Sequence, residues 1–159
     1  MKVEIRFGEP RDVALITQLI RELARYEKLE HEVAATEEKV AKALFGKRPY
    51  AETLIAEVNG EPAGFALFFH NFSTFLAQPG IYLEDLFVKP EQRSHGVGRA
   101  LLERLAQIAV QRDCGRLEWA VLDWNEDAIR FYERLGAKPN AEWTVYRLAD
   151  ESLRALAGK

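Results

Sequence analysis

The chain has 159 residues, and its 22 basic and 25 acidic side chains give a formal net charge of −3. This length fits one domain over residues 1–159, large enough to bury a core without disulfides or metals. Its 48% hydrophobic and 30% charged residues exclude a largely disordered or fibrous chain. The mildly acidic balance argues against a nucleic-acid partner, which usually requires a strongly basic face, and suits a cationic partner better.

The sequence predicts neither a disulfide nor a metal site. Cys114 is the only cysteine, so no internal disulfide forms, and His31, His70 and His95 lack the spacing of metal ligands. The N-terminus carries no apolar signal segment, and no apolar stretch approaches the ~20 residues that span a bilayer. We therefore expect a cytoplasmic protein with no membrane partner.

The first half of the chain predicts a strand, two helices and a hairpin. Residues 2–7 alternate as in a strand, and Pro10 then opens a helix whose apolar positions follow the 3.6-residue period. A short helix is expected from Thr36 to Gly46. Asn59-Gly60 separates two apolar runs and predicts a hairpin between them, with Pro62 favouring a loop slightly longer than two residues.

The second half predicts alternating strands and helices. The expected elements are a strand at 81–88, a helix at 97–112, a strand at 117–122, a helix at 126–135, a strand at 143–148 and a short final helix. Strands and helices in this order indicate one α/β or α+β domain.

The loop Arg93–Arg99 lies between a predicted strand and a predicted helix. Gly96 and Gly98 remove Cβ atoms where a phosphate would approach the backbone, and the helix start offers unpaired N–H groups. The alternative is a plain glycine turn that leads into a helix. Leu101 stands where a dinucleotide fingerprint requires its third glycine, and the chain has no Gly-Lys-Ser/Thr phosphate loop.

Two consecutive carboxylates, Glu84 and Asp85, interrupt the apolar strand at 81–88. Strand alternation sends them to opposite faces, so at least one is expected in a half-buried environment. A buried carboxylate is costly unless it is paired or used, and we favour a functional role for Glu84. For Asp85 we favour a structural ion pair or an edge position.

The helix at 126–135 carries a candidate acid on its flank. Asn125 is suited to cap this helix, and acidic residues occupy its first turn. Tyr132 flanks the apolar stripe, where its hydroxyl either faces a cleft or belongs to a core tyrosine with a satisfied hydroxyl.

Taken together, these motifs resemble the GNAT superfamily of N-acetyltransferases, most closely the diamine (spermidine/spermine) N-acetyltransferases and their bacterial relatives. The resemblance rests on the strand 82–88, the loop Arg93-x-x-Gly96-x-Gly98, and Asn125 with Phe131-Tyr132, and it covers nearly the whole chain. It implies the GNAT fold, an α/β (α+β) arrangement in which a central mixed, mostly antiparallel, twisted sheet carries helices on both faces. It also implies acetyl-CoA as co-substrate and no metal.

The resemblance implies a cofactor site formed by three segments. These are the strand residues Leu86, Phe87 and Val88, the loop residues Arg93, Ser94, His95, Gly96, Val97, Gly98 and Arg99, and the helix residues Asn125, Glu126, Asp127, Ala128 and Tyr132. Two positions depart from the family pattern, since Ser94 replaces a glycine often found there and Asp127 a proline.

The resemblance also implies the chemistry and the substrate. Glu84 would remove a proton from the amine, directly or through a water, and Tyr132 would protonate the departing thiolate. Direct transfer in a ternary complex is expected, since Cys114 is poorly placed as a covalent carrier. The acidic and aromatic residues implied to surround a cationic polyamine, diamine, thialysine or other amino acid are Tyr26, Glu27, Glu84, Glu118, Trp119 and Glu142.

Two other functions and one assembly remain open from the sequence. A protein or peptide N-acetyltransferase and a non-catalytic acyl-CoA-binding regulatory module would share most of these motifs. Five of the nine phenylalanines lie between Phe65 and Phe75, and those beyond the strand could cover a dimer surface. The resembling subgroup implies a homodimer.

Overall fold

A computed structural model describes all 159 residues, which form two compact units, Met1–Ala120 and Val121–Lys159. The first contains the strands β1 (Val3–Phe7), β2 (Glu52–Val58), β3 (Glu61–Ser73), β4 (Gln78–Val88) and β5 (Leu117–Trp119), and the helices α1 (Val13–Tyr26), α2 (Glu37–Phe45) and α3 (Val97–Gln111). The second contains α4 (Glu126–Arg134) and α5 (Asp150–Leu156). That residues 1–159 form a single domain stays a prediction.

The five strands form one sheet in the order β1-β2-β3-β4-β5, antiparallel throughout except for the parallel pair β4–β5. The β2–β3 hairpin is closed by Asn59 and Gly60 alone, both with positive φ, because Val58 pairs directly with Glu61. The expected longer loop is therefore wrong. Pro62 pairs with Glu57, and a register shift between Ala56 and Glu57 leaves Ala63 without a partner on β2.

Helices cover both faces of the sheet, as expected. On one face, α1 and α2 pack Ile16, Leu19 and Leu44 against the sheet residues Phe65 and Phe87. On the other face, α3 contacts β1, β3 and β4, with the buried residues Leu101, Leu105 and Ile108 along its inner side. The predicted mixed, mostly antiparallel sheet between two helical layers is confirmed.

An ion pair fixes the start of α1 against β1. Asp12, only 5% exposed, accepts two hydrogen bonds from Arg6, at 2.8 and 2.9 Å, and a third from the backbone N–H of Glu9. The Arg6 guanidinium therefore holds the pKa of Asp12 below its ordinary range.

Two strand predictions near the C-terminus are wrong. β5 ends at Trp119 rather than at residue 122, and residues 143–148 form no strand. In the second unit no strand lies beside residues 143–148, and Trp143, Val145 and Tyr146 are exposed. An alternating pattern predicts a strand only where a neighbour supplies the ladder hydrogen bonds.

Candidate functional site

A β-bulge in β4 determines which strand residues face α1. Leu67 of β3 pairs with Asp85, but the next residue, Phe68, pairs with Leu83, so Glu84 is an extra residue with no partner on β3. Asp85 and Phe87 lie two apart on the side of the bulge where Phe87 packs under α1, so Asp85 faces the same helical layer. The bulge also removes the alternation that predicted opposite faces for Glu84 and Asp85.

Asp85 is the most strongly perturbed carboxyl of this face. Burial, together with the smaller effect of the negative charges of Glu84 and Glu27, raises its pKa to about 7. Burial also raises the pKa of Glu27, which caps the end of α1, whereas Glu84 is exposed. For Asp85 the sequence favoured a structural ion pair or an edge position, and its place on the α1 face becomes visible only once the strands are paired.

Tyr82 lies on the same face and is close to the negative charges of Glu84 and Glu118. Tyr82 pairs with Phe69 of β3, their ring centroids lie 5.4 Å apart, and Glu118 of β5 is its partner on the other side. Burial raises the pKa of Tyr82, followed by the charges of Glu84 and Glu118. The face beyond the end of α1 is therefore acidic and partly aromatic.

Arg93 lies at the aromatic edge of this face. Its guanidinium carbon lies 4.6 Å from the ring centroid of Tyr26 and 5.8 Å from that of Phe87, and its Nε donates to the backbone oxygen of Val88 at 3.0 Å. Arg93 therefore links the end of α1 to the end of β4. Its predicted contact with the cofactor stays a prediction.

The structure separates two residues that the sequence expected together. Glu118 accepts a hydrogen bond from Asn71 at 3.2 Å and lies 3.5 Å from the Arg116 guanidinium, so its charge is partly neutralised. Trp119 pairs with Leu83 and, by strand alternation, faces the opposite side of the sheet from Glu118. The sheet therefore brings together Tyr26, Glu27, Glu84 and Glu118, with Asp85, but not Trp119.

β4 offers a free backbone edge next to the bulge. β5 pairs with β4 only over Ile81–Leu83, and no strand continues that pairing along residues 84–88. The Phe87 oxygen points at Gly64 of β3, so by alternation the N–H and C=O groups of Leu86 and Val88 face this free side. The pairing of Leu86, Phe87 and Val88 with the pantetheine arm stays a prediction.

The loop before α3 has the conformation of an anion cradle. Ser94 and Gly96 both have positive φ, 67° and 76°, and Gly96 is the N-cap of α3, with open space where a Cβ would stand. Ser94, His95 and Arg99 are exposed, and Arg99 pairs with Glu103 at 2.8 Å. A glycine would adopt the left-handed φ of position 94 without strain.

The second unit carries the remaining predicted residues. The Asn125 side chain caps α4 by accepting from the Ala128 N–H at 3.4 Å, as expected, and Arg130 pairs with Asp127 at 2.6 Å and with Glu126 at 3.9 Å. Tyr132 is half-buried beside Phe131, their ring centroids 5.6 Å apart. Glu142 is exposed in the segment without regular structure.

The structure contains neither a membrane-spanning helix nor a metal-binding cluster of side chains. No helix is both long and apolar enough to cross a bilayer. No group of three or more His, Cys, Asp or Glu residues is arranged to hold a metal ion.

Comparison with known proteins gives concordant matches. The model of the Acetyltransferase (GNAT) family matches residues 14–137. The chain is 40% identical to the thialysine N-epsilon-acetyltransferase of Bos taurus over 99% of this chain and 98% of that protein. It is 34% identical to the L-ornithine N5-acetyltransferase of Arabidopsis thaliana over 96% and 86% of the two chains.

A solved structure shows the same fold. An integron cassette protein from the mobile metagenome of V. cholerae superposes with a TM-score of 0.84 at 29% identity, covering 100% of this chain and 99% of that one. The family and the fold implied by the sequence resemblance are thereby confirmed.

Proposed function

The chain belongs to the acetyltransferase (GNAT) family and is an amine N-acetyltransferase, and from this premise we propose that it acetylates a primary amine of a small cationic substrate with acetyl-CoA. The substrate class is a polyamine, a diamine, or thialysine or a similar amino acid. The observation that supports it most is the acidic face formed by Glu27, Glu84 and Asp85, which lies beside the free edge of β4.

The acidic face suits a cation better than a neutral or anionic acceptor. Burial raises the pKa of Glu27, and burial with the charges of Glu84 and Glu27 raises the pKa of Asp85. A bound ammonium group would stabilise the ionised form of both carboxyls. Tyr26 and Tyr82 add ring surface on which aliphatic and cationic groups pack. The proteins to which the chain is similar are named for thialysine and for L-ornithine, amino acids with a primary amine on the side chain.

The residues of the first unit fit acetyl-CoA. The free edge of β4 at Leu86, Phe87 and Val88 pairs with the pantetheine arm, and the backbone N–H groups from Ser94 to Arg99 hold the pyrophosphate at the start of α3. From the second unit, residues 125–128 and Tyr132 are proposed to contact the same co-substrate. Acetyl-CoA supplies an activated acetyl thioester.

The chain's own groups supply proton transfer and charge stabilisation. An ammonium group with a pKa of ~10.4 must lose a proton before it attacks, and the family resemblance assigns that proton to Glu84. Backbone N–H groups of β4 stabilise the oxyanion, and Tyr132 donates a proton to the sulfur as it leaves. We propose direct transfer in a ternary complex.

We also propose that the protein is a homodimer. Phe65 and Phe68 are fully buried, but Phe72, Phe75 and Leu76 at the β3–β4 turn are 63%, 101% and 51% exposed. Such a surface suits burial against a second copy. Light scattering during gel filtration tests the assembly, and a monomer at micromolar concentration would contradict it. The cytoplasmic location stays a prediction.

The experiment that tests the function measures binding and turnover separately. Calorimetry gives the affinity for acetyl-CoA, and thiol release gives the rate with thialysine, L-ornithine, spermidine and a short unblocked peptide. We expect micromolar binding and saturable thiol release with at least one small amine. Binding without turnover across the panel would instead identify an acyl-CoA-binding module, and turnover with the peptide alone would identify a peptide acetyltransferase.

A further inference from the structure

We propose that Arg116 and Glu118, at the edge strand β5, bind the α-carboxylate and the α-ammonium of an amino acid whose side-chain amine is acetylated. This inference rests on the proposed function and narrows its substrate class. Among small cationic amines it favours an amino acid with a primary amine on its side chain, such as thialysine, over a diamine or a polyamine of similar length.

Arg116 and Glu118 lie side by side on the acidic face of the sheet. Glu118 pairs with Tyr82 of β4, and the backbone oxygen of Arg116 accepts from the Ile81 N–H at 3.0 Å, so the strand pairing already includes position 116. The two residues are two apart in an extended segment, so their side chains point to the same face, that of Tyr82. A cation and an anion therefore lie together on the face where the amine is proposed to bind.

The carboxylate of Glu118 is held in place by a side chain from β3. Asn71 reaches across β4 and donates from Nδ2 to Glu118 Oε1 at 3.2 Å. The absence of a side chain at Gly80 of β4 allows this contact, because a Cβ there would collide with Asn71 Oδ1. Arg116 Nε also approaches Oε1, so the second oxygen, Oε2, is left to accept a hydrogen bond from an ammonium group.

The ion pair between Arg116 and Glu118 is loose enough for a ligand to share. Nε lies 3.5 Å from Oε1, which is longer than the roughly 2.8 Å of a charge-assisted hydrogen bond. The two side chains are 48% and 34% exposed, so neither charge is deeply buried. An exposed pair of this kind contributes little to stability, whereas the planar guanidinium can offer two parallel N–H groups to a carboxylate.

The spacing along the strands suits an amino acid with a long side chain. β5 leaves β4 after the pair Leu83–Trp119, and the free edge where acetyl-CoA is proposed to bind begins at residue 84. Glu118 pairs with Tyr82, two residues earlier, which corresponds to about 7 Å at ~3.3 Å per residue. In extended thialysine or lysine the side-chain nitrogen lies about 6 Å from Cα, and the charged α groups lie just beyond it. The reacting amine can thus lie at the free edge while the α groups reach β5.

The opposite charges on β5 distinguish an amino acid from a diamine. Alone, Glu118 would attract the second ammonium group of a diamine as well as an α-ammonium group. Arg116 repels a second ammonium group, whereas it attracts an α-carboxylate. The carboxylates nearer the free edge, Glu84, Asp85 and Glu27, remain for the reacting amine.

The test compares three amines that differ only at the α-carbon: thialysine, its decarboxylated analogue bis(2-aminoethyl) sulfide, and thialysine acetylated on its α-nitrogen. Thiol release gives kcat/KM for each amine with the wild type and with Arg116→Gln. We expect the wild type to prefer thialysine over the decarboxylated analogue by about 10–100-fold, the effect of one charged hydrogen-bonded contact. Arg116→Gln should abolish this preference, because it loses activity with thialysine and gains activity with the decarboxylated analogue.

Glu118→Gln tests the other half of the pair. This variant keeps an oxygen that can accept from Asn71 and removes only the negative charge. We expect kcat/KM to fall about 10-fold or more with thialysine and to change less with the α-acetylated form, which has no α-ammonium group. Arg116→Lys, which keeps the positive charge but not the planar fork, should retain part of the preference for thialysine.

Controls separate recognition from folding. Arg11→Gln, an exposed arginine paired with Glu9 just before α1, is the matched control and should leave all three kcat/KM values unchanged. Each preference is a ratio measured on one enzyme, so it does not depend on the folded fraction. A wild type that acetylates the decarboxylated analogue as readily as thialysine, or an Arg116→Gln variant that weakens both equally, would overturn the assignment. No thiol release with any amine would instead overturn the proposed function.

Discussion

At the scale of single residues, the sequence showed two adjacent carboxylates on one strand but not how the strand orients them. Glu84 and Asp85 are adjacent, and alternation predicts opposite faces with one of them useful. The bulge at Glu84 removes that alternation, and the strand pairing places Asp85 opposite Leu67, half-buried, while Glu84 is exposed. The roles of Glu27 and Tyr26 in binding the amine stay predictions.

The role of Tyr132 gives a prediction at this scale. Tyr132→Phe keeps the ring that lies beside Phe131 and removes only the hydroxyl. We expect kcat to fall about 10²–10³-fold with little change in the KM of the amine, because the lost interaction acts as the thiolate leaves. Steady-state kinetics with Tyr146→Phe, an exposed tyrosine, as control would measure it. Near-normal kcat would exclude Tyr132 as the acid.

The left-handed Ser94 gives a second residue-level prediction. Ser94→Gly relieves a positive φ, whereas Ser94→Val places a β-branched side chain there. We expect the glycine variant to bind acetyl-CoA like the wild type and the valine variant to lose about 1–2 kcal/mol of stability along with affinity. Denaturant unfolding and calorimetry are the measurements. Equal behaviour of the two variants would show that the loop conformation does not matter for binding.

At the scale of elements, helices were better predicted than strands. Caps and periodicity are local, so Thr36, Asn125 and the apolar faces placed α2, α4, α1 and α3 within a few residues. Strand ends depend on a partner that the sequence does not show. That is why residues 143–148 were expected to form a strand and do not, and why the divergence of β5 from β4 after Leu83 was not predicted.

The close approach of β3 and β4 gives a prediction at this scale. A Cβ at Gly64 would collide with the backbone oxygen of Phe87 and approach the Val88 Cα at 3.1 Å. Gly64→Ala should therefore displace the strand edge proposed to hold acetyl-CoA, with a loss of about 2–4 kcal/mol in stability and weaker binding. Gly60→Ala, at a turn with open space, is the control for binding. Unchanged affinity in Gly64→Ala would contradict the role of this edge.

At the scale of the whole molecule, the net charge of −3 includes carboxylates with opposite effects on folding stability. Asp12 has a lowered pKa, so it stabilises the fold above its unfolded pKa and that contribution is lost as the pH falls through the folded pKa. Asp85 has a raised pKa, so it destabilises the fold increasingly as the pH rises from about 4 to about 7.

Because the pKa values of Asp12 and Asp85 shift in opposite directions, replacing each aspartate by asparagine should change stability in opposite directions at high pH. Asp85→Asn should raise the free energy of unfolding by about 1–3 kcal/mol at pH 8 and leave it nearly unchanged at pH 4, where the wild-type carboxyl is already neutral. Asp12→Asn should lose stability at pH 8 and lose less near pH 2. Urea unfolding at both pH values measures each effect. A loss of stability in Asp85→Asn at pH 8 would mean that the Asp85 carboxylate has a stabilising partner in the folded protein.

The central claim is that the acidic face selects a small cationic amine for acetylation, and a competition assay tests it most directly. Thialysine and an unblocked peptide are mixed at equal concentration with acetyl-CoA and the wild-type enzyme, and mass spectrometry gives the ratio of the acetylated products. This ratio equals the ratio of the two kcat/KM values. The account predicts that acetyl-thialysine exceeds acetyl-peptide by about 100-fold or more, corresponding to roughly 3 kcal/mol of discrimination. Equal products, or an excess of acetyl-peptide, would contradict it.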